Sequence, residues 1–310
     1  MNRREFIMTA TATGLAGYAA GGDGRCCSAK TACCGNAKIL FGVCRPPSEA
    51  KRLKAHGYDF FENSVTSALI PTKSEEEWKR QKDMLFNCGL PLRSCNGFLP
   101  GTFRLTGPNA DFAPALDYAE KVLRRAEEVG VKTIVFGSSG ARNVPGDLCG
   151  AKEQKPNPEK GVEQYTEFCR LLCKRVEDLK TVQVVIEPLR PNESNIINYV
   201  WQGMQIVREV NHPRLQELAD IFHMICGKES AQSIIDAGCH LKHCHIACKE
   251  TRQFPGTRPD DAENFKPYFD ALKQIGYTGG VSCECGWPKS GTPEYEKALD
   301  TALALMKSLA

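Results

Sequence analysis

Four side chains able to hold a cation stand at the ends of short apolar runs: Glu187 in VVIEPL, Asp220 in ELADIFHM, His245 in KHCHIA and Glu284 in VSCECGW. Three carboxylates and one imidazole make a hard, oxygen-rich donor set. It suits one divalent ion that keeps room for ligand oxygens, with Mn²⁺, Mg²⁺ or Co²⁺ ahead of Zn²⁺. Singly, each of these residues would more often be a helix cap or a salt-bridge partner. The coincidence of four run ends is what points to a shared site. His243 lies two residues before His245, so strand alternation puts it on the same face, one layer deeper. Trp287, just beyond Glu284, is placed to wall a pocket.

The elements that must position these residues repeat. From Lys38 onward, eight short apolar runs alternate with amphipathic segments, the pattern of a parallel sheet wrapped by helices. The expected strands cover residues 39–44, 58–65, 92–99, 133–138, 182–189, 215–222, 241–247 and 280–285. Helices are expected over 51–56, from the N-cap Ser74 to Gly89, and over 113–129, 162–179, 194–210, 230–237, 264–275 and from 293 to the end. Eight repeats imply closure into a single-domain α/β fold, a (β/α)8 TIM barrel over residues 38–310, whose C-terminal strand ends gather catalytic residues. The polar stretch 140–161, rich in Pro and Gly, is expected to lie over that mouth as a lid or substrate rim.

Composition narrows the function. Hydrophobic residues make up 42% and charged residues 25%, enough for a sizeable core. The 40 basic and 37 acidic residues leave a net charge of +3 with no long run of one sign, which argues against nucleic acid as a partner. No stretch approaches about 18 consecutive apolar residues, so no stable membrane span is expected. Residues 1–37 form a separate leader. Asn2-Arg3-Arg4-Glu5-Phe6-Ile7 and the mild apolar stretch to Ala20 look like a twin-arginine export signal, which implies a periplasmic location. Within the leader, Cys26-Cys27 and Cys33-Cys34 form a CC-x5-CC cluster that reads as flexible leader or disulfide rather than zinc site. The chain has sixteen cysteines, and most of those outside the cluster fall inside apolar runs as small core residues.

The motifs themselves resemble the ketose 3-epimerases of the D-tagatose/D-psicose type, within the xylose-isomerase-like TIM-barrel superfamily. Glu187-Pro188-Leu189 is followed by Glu193, then Asp220-Ile221-Phe222-His223-Met224, His245-Ile246, Arg252, Pro255-Gly256 and Glu284. The likeness covers the second half of the barrel; the first half matches through Glu62 at the end of the second strand and through rhythm. It implies a divalent-metal-dependent isomerase acting on a small sugar. Metal ligands would be Glu187, Asp220, His245 and Glu284, and Glu187 and Glu284 would also exchange the substrate proton. Glu193, His223, Arg252 and Glu62 would contact substrate. The loop from His245 to Arg252 is one residue longer than the resemblance implies. Many such proteins form homo-oligomers through barrel-face helices.

The residue types support that chemistry independently. A proton beside a carbonyl is weakly acidic, and its removal is eased when a cation stabilises the resulting enediolate. Two carboxylates on opposite faces could remove and return it. On the same scaffold, an aldose–ketose isomerase or an inosose-type dehydratase would use the same first step. A three-zinc DNA-repair endonuclease needs more than six His, and a non-catalytic periplasmic sugar-binding protein is the remaining alternative.

Overall fold

The computed structural model describes residues 38–146 and 158–310. The arginine pair, the CC-x5-CC cluster and residues 147–157 of the long polar loop lie outside the described residues.

Eight parallel strands close into one barrel in sequence order, the last pairing with the first. They are β1 (Leu40–Cys44), β2 (Phe60–Ser64), β3 (Leu92–Asn96), β4 (Thr133–Phe136), β5 (Gln183–Ile186), β6 (Leu215–Asp220), β7 (Leu241–Ile246) and β8 (Gly280–Cys283). The described helices are α1 (Ala50–His56), α2 (Val65–Ala68), α3 (Glu75–Asn87), α4 (Ala113–Glu128), α5 (Ser139–Arg142), α6 (Pro158–Arg175), α7 (Val200–Val210), α8 (Ile221–Cys226), α9 (Gln232–Ala237), α10 (Asp261–Gln274) and α11 (Pro293–Leu309). None of them is long and apolar enough to cross a membrane.

Alternation along each strand splits the core in two. Ile134, Phe136, Val184 and Ile186 pack outward against the helices, while Val135, Val185 and Leu218 form a separate cluster inside the barrel. Each fully buried aliphatic side chain of this kind contributes roughly 1.5–3 kcal/mol. Below the mouth the ring of Phe60, on β2, lies over Gly42 of the neighbouring β1 and Gly280 of β8. A Cβ on either glycine would run into that ring.

Ser74 caps α3 as expected and completes a capping box with Glu77. Several boundaries differ from expectation by a few residues, and three of the differences bear on the site. The sixth strand stops at Asp220, whose carboxylate Oδ1 accepts the amides of Phe222 (2.8 Å) and His223 (3.3 Å) and starts α8 there. The helix expected from Ser194 begins instead at Val200. Ser194, Asn195 and Asn198 turn their side chains onto backbone groups: Ser194 Oγ donates to the Ile196 carbonyl (2.7 Å), and Asn198 Nδ2 to those of Leu189 (2.7 Å) and Ser194 (2.8 Å). Such local bonds compete with helix formation. The third difference concerns the expected rim. Residues 139–142 form α5, and Arg142 is fully buried rather than facing solvent. Every described cysteine is a free thiol.

Candidate active site

Glu187 follows β5, Asp220 ends β6, His245 lies near the end of β7 and Glu284 follows β8. Each offers one ligand atom, and these four atoms lie within 4.8 Å of one another. His245 is the hub. Its Nδ1 sits 2.9 Å from Glu187 Oε1 and 3.6 Å from Glu284 Oε2. The bend of the chain makes this possible: Gly137, just past β4, leaves room that a Cβ would take from the Glu187 carboxylate. Arg142 holds the same region from below, donating to the carbonyls of Glu187 (2.9 Å), Phe136 (3.1 Å) and Ile197 (3.3 Å).

Glu62 departs from the expected substrate contact. It is 0% exposed and sits under His245. Its Oε1 faces His245 Nε2 at 2.9 Å, while Oε2 faces His243 Nε2 at 2.8 Å and accepts from Ser94 Oγ at 2.7 Å. With both oxygens occupied, it fixes the ring of His245 so that Nδ1 points to the mouth, as carboxylates behind metal-binding imidazoles do. His243 lies in the deeper layer, as alternation indicated.

Burial works against the Glu62 anion, yet the charge and hydrogen bonds of His245 and His243 hold it well below the usual carboxylate range. Desolvation likewise opposes the His245 cation, but Glu62 and Glu284 lift it well above the usual imidazole value. For His243 burial prevails over its contact with Glu62, and its pKa falls. Burial pushes Glu284 up to about 7; the carboxylates of Glu187, Asp220 and Glu62 add to the rise and His245 opposes it. Three acids crowded round one imidazole in a water-poor mouth form an arrangement that a divalent cation would relieve.

The remaining expected residues converge on this mouth. His223 is 2% exposed. Its Nδ1 accepts the Arg190 amide (3.4 Å), which leaves the proton on Nε2. That Nε2 has no hydrogen-bond partner and stands 3.4 Å from Asp220 Oδ2 and 3.8 Å from Glu193 Oε2. Arg252 donates to Glu193 Oε1 (3.0 Å) and reaches Glu284 Oε2 (3.4 Å). Its loop is tied to the end of β8 by Gly286 N to the Arg252 carbonyl (2.8 Å) and Phe254 N to the Gly286 carbonyl (3.1 Å). Trp287 stacks on Phe254, with ring centroids 5.4 Å apart.

Three residues went unnoticed in the sequence. Asn96, at the end of β3, donates from Nδ2 to Glu284 Oε1 at 2.6 Å. Arg190 donates to Glu193 Oε1 at 2.7 Å and, with Arg252, packs its guanidinium over Phe222. Cys44, at the end of β1, lies 3.6 Å from Ser282 Oγ and forms a second close set of donor atoms with Glu62 and His245. Cys44 and Asn96 end strands, within one residue of where the four main residues stand on theirs, and that position was the available signal.

Known proteins share this arrangement of elements. A "Probable ketose 3-epimerase" of Synechocystis sp. is 30% identical over 199 residues, 63% of this chain and 64% of that protein, so the match takes in just under two thirds of the relative. A D-psicose 3-epimerase of Ruminiclostridium cellulolyticum is 26% identical over 231 residues, 74% of each chain. Among solved structures, a D-psicose 3-epimerase crystallised in the presence of D-fructose superposes with a TM-score of 0.73 at 20% identity, covering 87% of this chain and 99% of its own. A 3-keto-D-glucoside 4-epimerase from E. coli gives 0.67 at 21%, covering 87% and 100%. At such identities the superpositions speak to the fold. The family model described as xylose isomerase-like TIM barrel matches residues 50–309, nearly the whole described barrel, and the chain therefore belongs to that family.

Proposed function

We propose that this chain is a divalent-metal-dependent sugar epimerase that removes and returns a proton on the carbon beside a ketose carbonyl, inverting that carbon. One observation carries the reading. Glu187 and Glu284 follow strands three places apart in the barrel order, β5 and β8, yet both turn a carboxylate oxygen to the same nitrogen of His245. Two acids approaching one small volume from different strands are placed to address the two faces of a carbon held between them. The ketose 3-epimerases among its relatives point the same way.

The donor set fits a hard divalent ion, with Glu187, Asp220, His245 and Glu284 as the residues that would hold it. When bound, such an ion polarises a substrate carbonyl as a Lewis acid. The protein's own part is proton handling and orientation. One of Glu187 and Glu284 takes the proton from its face, and the other delivers a proton to the opposite face. His223 Nε2, with no partner of its own, donates to a substrate oxygen, and the Arg252 guanidinium does so from the rim while steadying Glu284. Trp287 and Phe254 form an apolar wall beside Glu284 that limits water entry. The leading Asn2-Arg3-Arg4-Glu5-Phe6-Ile7 supports export by the twin-arginine route as part of the same proposal.

The test is product analysis after incubating the metal-loaded protein with a panel of free ketoses. The proposal expects the C3 epimer of at least one of them. Formation of an aldose, or loss of water, would reassign the step that follows proton removal. Saturable sugar binding without any turnover would contradict the enzymatic reading.

A further inference from the structure

All eight strands run the same way, so their first residues meet at the end of the barrel opposite the carboxylate cluster. There Arg93, Lys132, Thr133, Leu241, Lys242 and Tyr277 line a cavity of about 390 Å³. Among the described residues, no Asp or Glu lines it. Arg93 and Lys242 are half-buried, yet neither they nor Lys132 form an ion pair or a side-chain hydrogen bond among the described residues. By contrast Arg124 pairs with Glu120 and Asp178, and Arg175 with Asp117 and Glu120.

Thr133 supplies a second, independent observation. It is 4% exposed, and its Oγ1 has no hydrogen-bond partner although it borders the cavity. A buried hydroxyl without a partner costs free energy, as does a cation withdrawn from water without a counter-charge. Here both costs fall on the walls of one pocket. The same ligand would settle both: an acceptor-rich anion that takes a hydrogen bond from the hydroxyl and neutralises the guanidinium and the ammonium groups.

We infer that this N-terminal mouth of the barrel is a binding site for a small dianionic oxyanion, a phosphate group either free or esterified to a small organic molecule. Three cations and a hydroxyl donor match the oxygens and charge of phosphate. The volume falls in the range of small-molecule sites, and Leu241 and the ring of Tyr277 give an organic portion an apolar surface. The site lies at the opposite end of the barrel from the carboxylate cluster and shares no lining residue with it.

Calorimetric titration of the metal-loaded protein with inorganic phosphate, glucose 6-phosphate and glucose tests the site. Saturable binding is expected for at least one of the two phosphate compounds, and none for glucose. A tighter complex with glucose 6-phosphate identifies an esterified ligand, and the reverse order a free anion. Arg93→Gln and Lys242→Met should each weaken binding about tenfold or more, equivalent to the loss of one charged contact. Thr133→Val removes the hydroxyl without changing shape, so it should weaken binding several-fold while unfolding at the same temperature as the parent or higher. His245→Ala, which disables the opposite end, should leave the affinity unchanged. Absence of saturable binding by both phosphate compounds would overturn the inference, as would binding that survives Arg93→Gln and Lys242→Met but disappears in His245→Ala.

Discussion

Asn96 at the end of β3 donates a 2.6 Å hydrogen bond across the barrel mouth to Glu284 Oε1, while Arg252 approaches the other oxygen of the same carboxylate at 3.4 Å. Glu284 is thus held from two sides, with Oε2 also turned toward His245. A hydrogen bond to a charged group contributes about 1.5–3 kcal/mol. Asn96→Ala should therefore lower kcat roughly 10- to 100-fold with a much smaller change in KM, since it frees the acid that handles the proton without removing a substrate contact. Steady-state kinetics on the epimerised ketose checks this. A raised KM with kcat unchanged would show that Asn96 binds substrate instead.

Glu62 should matter through His245 rather than through substrate. Replacement by Gln keeps the shape but weakens its hold on both imidazoles. Carboxylates in this position typically contribute 10- to 100-fold to metal affinity. Glu62→Gln should lose about that much in competition with a chelator, and saturating metal should restore most of the activity. An unchanged metal affinity together with a raised KM would return Glu62 to the substrate-binding role that its strand-end position suggested.

A stability effect should appear far from the mouth. Glu217 on β6 is fully buried against Gly203 of α7, and neither carboxylate oxygen has a partner. Burial, reinforced by the nearby Glu229 and opposed by Arg142, holds its pKa well above the ordinary value of 4.5. The unfolded chain gives up this proton near pH 4.5 and the folded chain keeps it. Folding therefore binds a proton above that pH, and the wild type loses stability as pH rises. Glu217→Leu removes the effect. Its advantage in unfolding free energy should widen from pH 4.5 upward, reaching roughly 1–3 kcal/mol near neutrality, as followed by urea denaturation across pH. A pH-independent gap would contradict the assignment.

Arg142 offers a structural counterpart. Its guanidinium donates to the carbonyls of Phe136, Glu187 and Ile197 in the interior; the first and last also accept the amides of Glu187 and Leu189, so its removal leaves the Glu187 carbonyl unpaired at a cost of about 1–3 kcal/mol. Arg142→Met should lower the urea midpoint substantially and, because Glu187 loses its backbone anchor, reduce kcat as well. Retention of full activity at a reduced midpoint would show that Glu187 is positioned by β5 alone.

The barrel was legible because each strand is a compact apolar run and the helices between them carry their own start signals, such as Ser74 ahead of three glutamates. The four central donors were legible because a side chain at the end of such a run faces the mouth. Depth was legible only in part. Alternation put His243 one layer behind His245 on the same strand, but for Glu62 it could not tell the rim from the layer beneath. Nor did hydropathy reveal that Ile221-Phe222 belongs to a helix, since a buried helix turn and a buried strand are equally apolar; the Asp220 cap decides it. The delayed start of α7 depends on Asn195 and Asn198 finding carbonyls brought close only by the closed fold. Asn96 and Cys44 escaped because neither residue type at a strand end signals a partner on a strand distant in sequence.

Equilibrium dialysis of chelator-stripped protein against Mn²⁺ puts the central claim to the test most directly. One tightly held ion per chain is expected in the wild type, with its retention lost or reduced by orders of magnitude in Asp220→Ala and His245→Ala variants that keep the parent circular dichroism. No retained ion in the wild type, or one retained equally well by both variants, would mean that Glu187, Asp220, His245 and Glu284 do not form a metal centre.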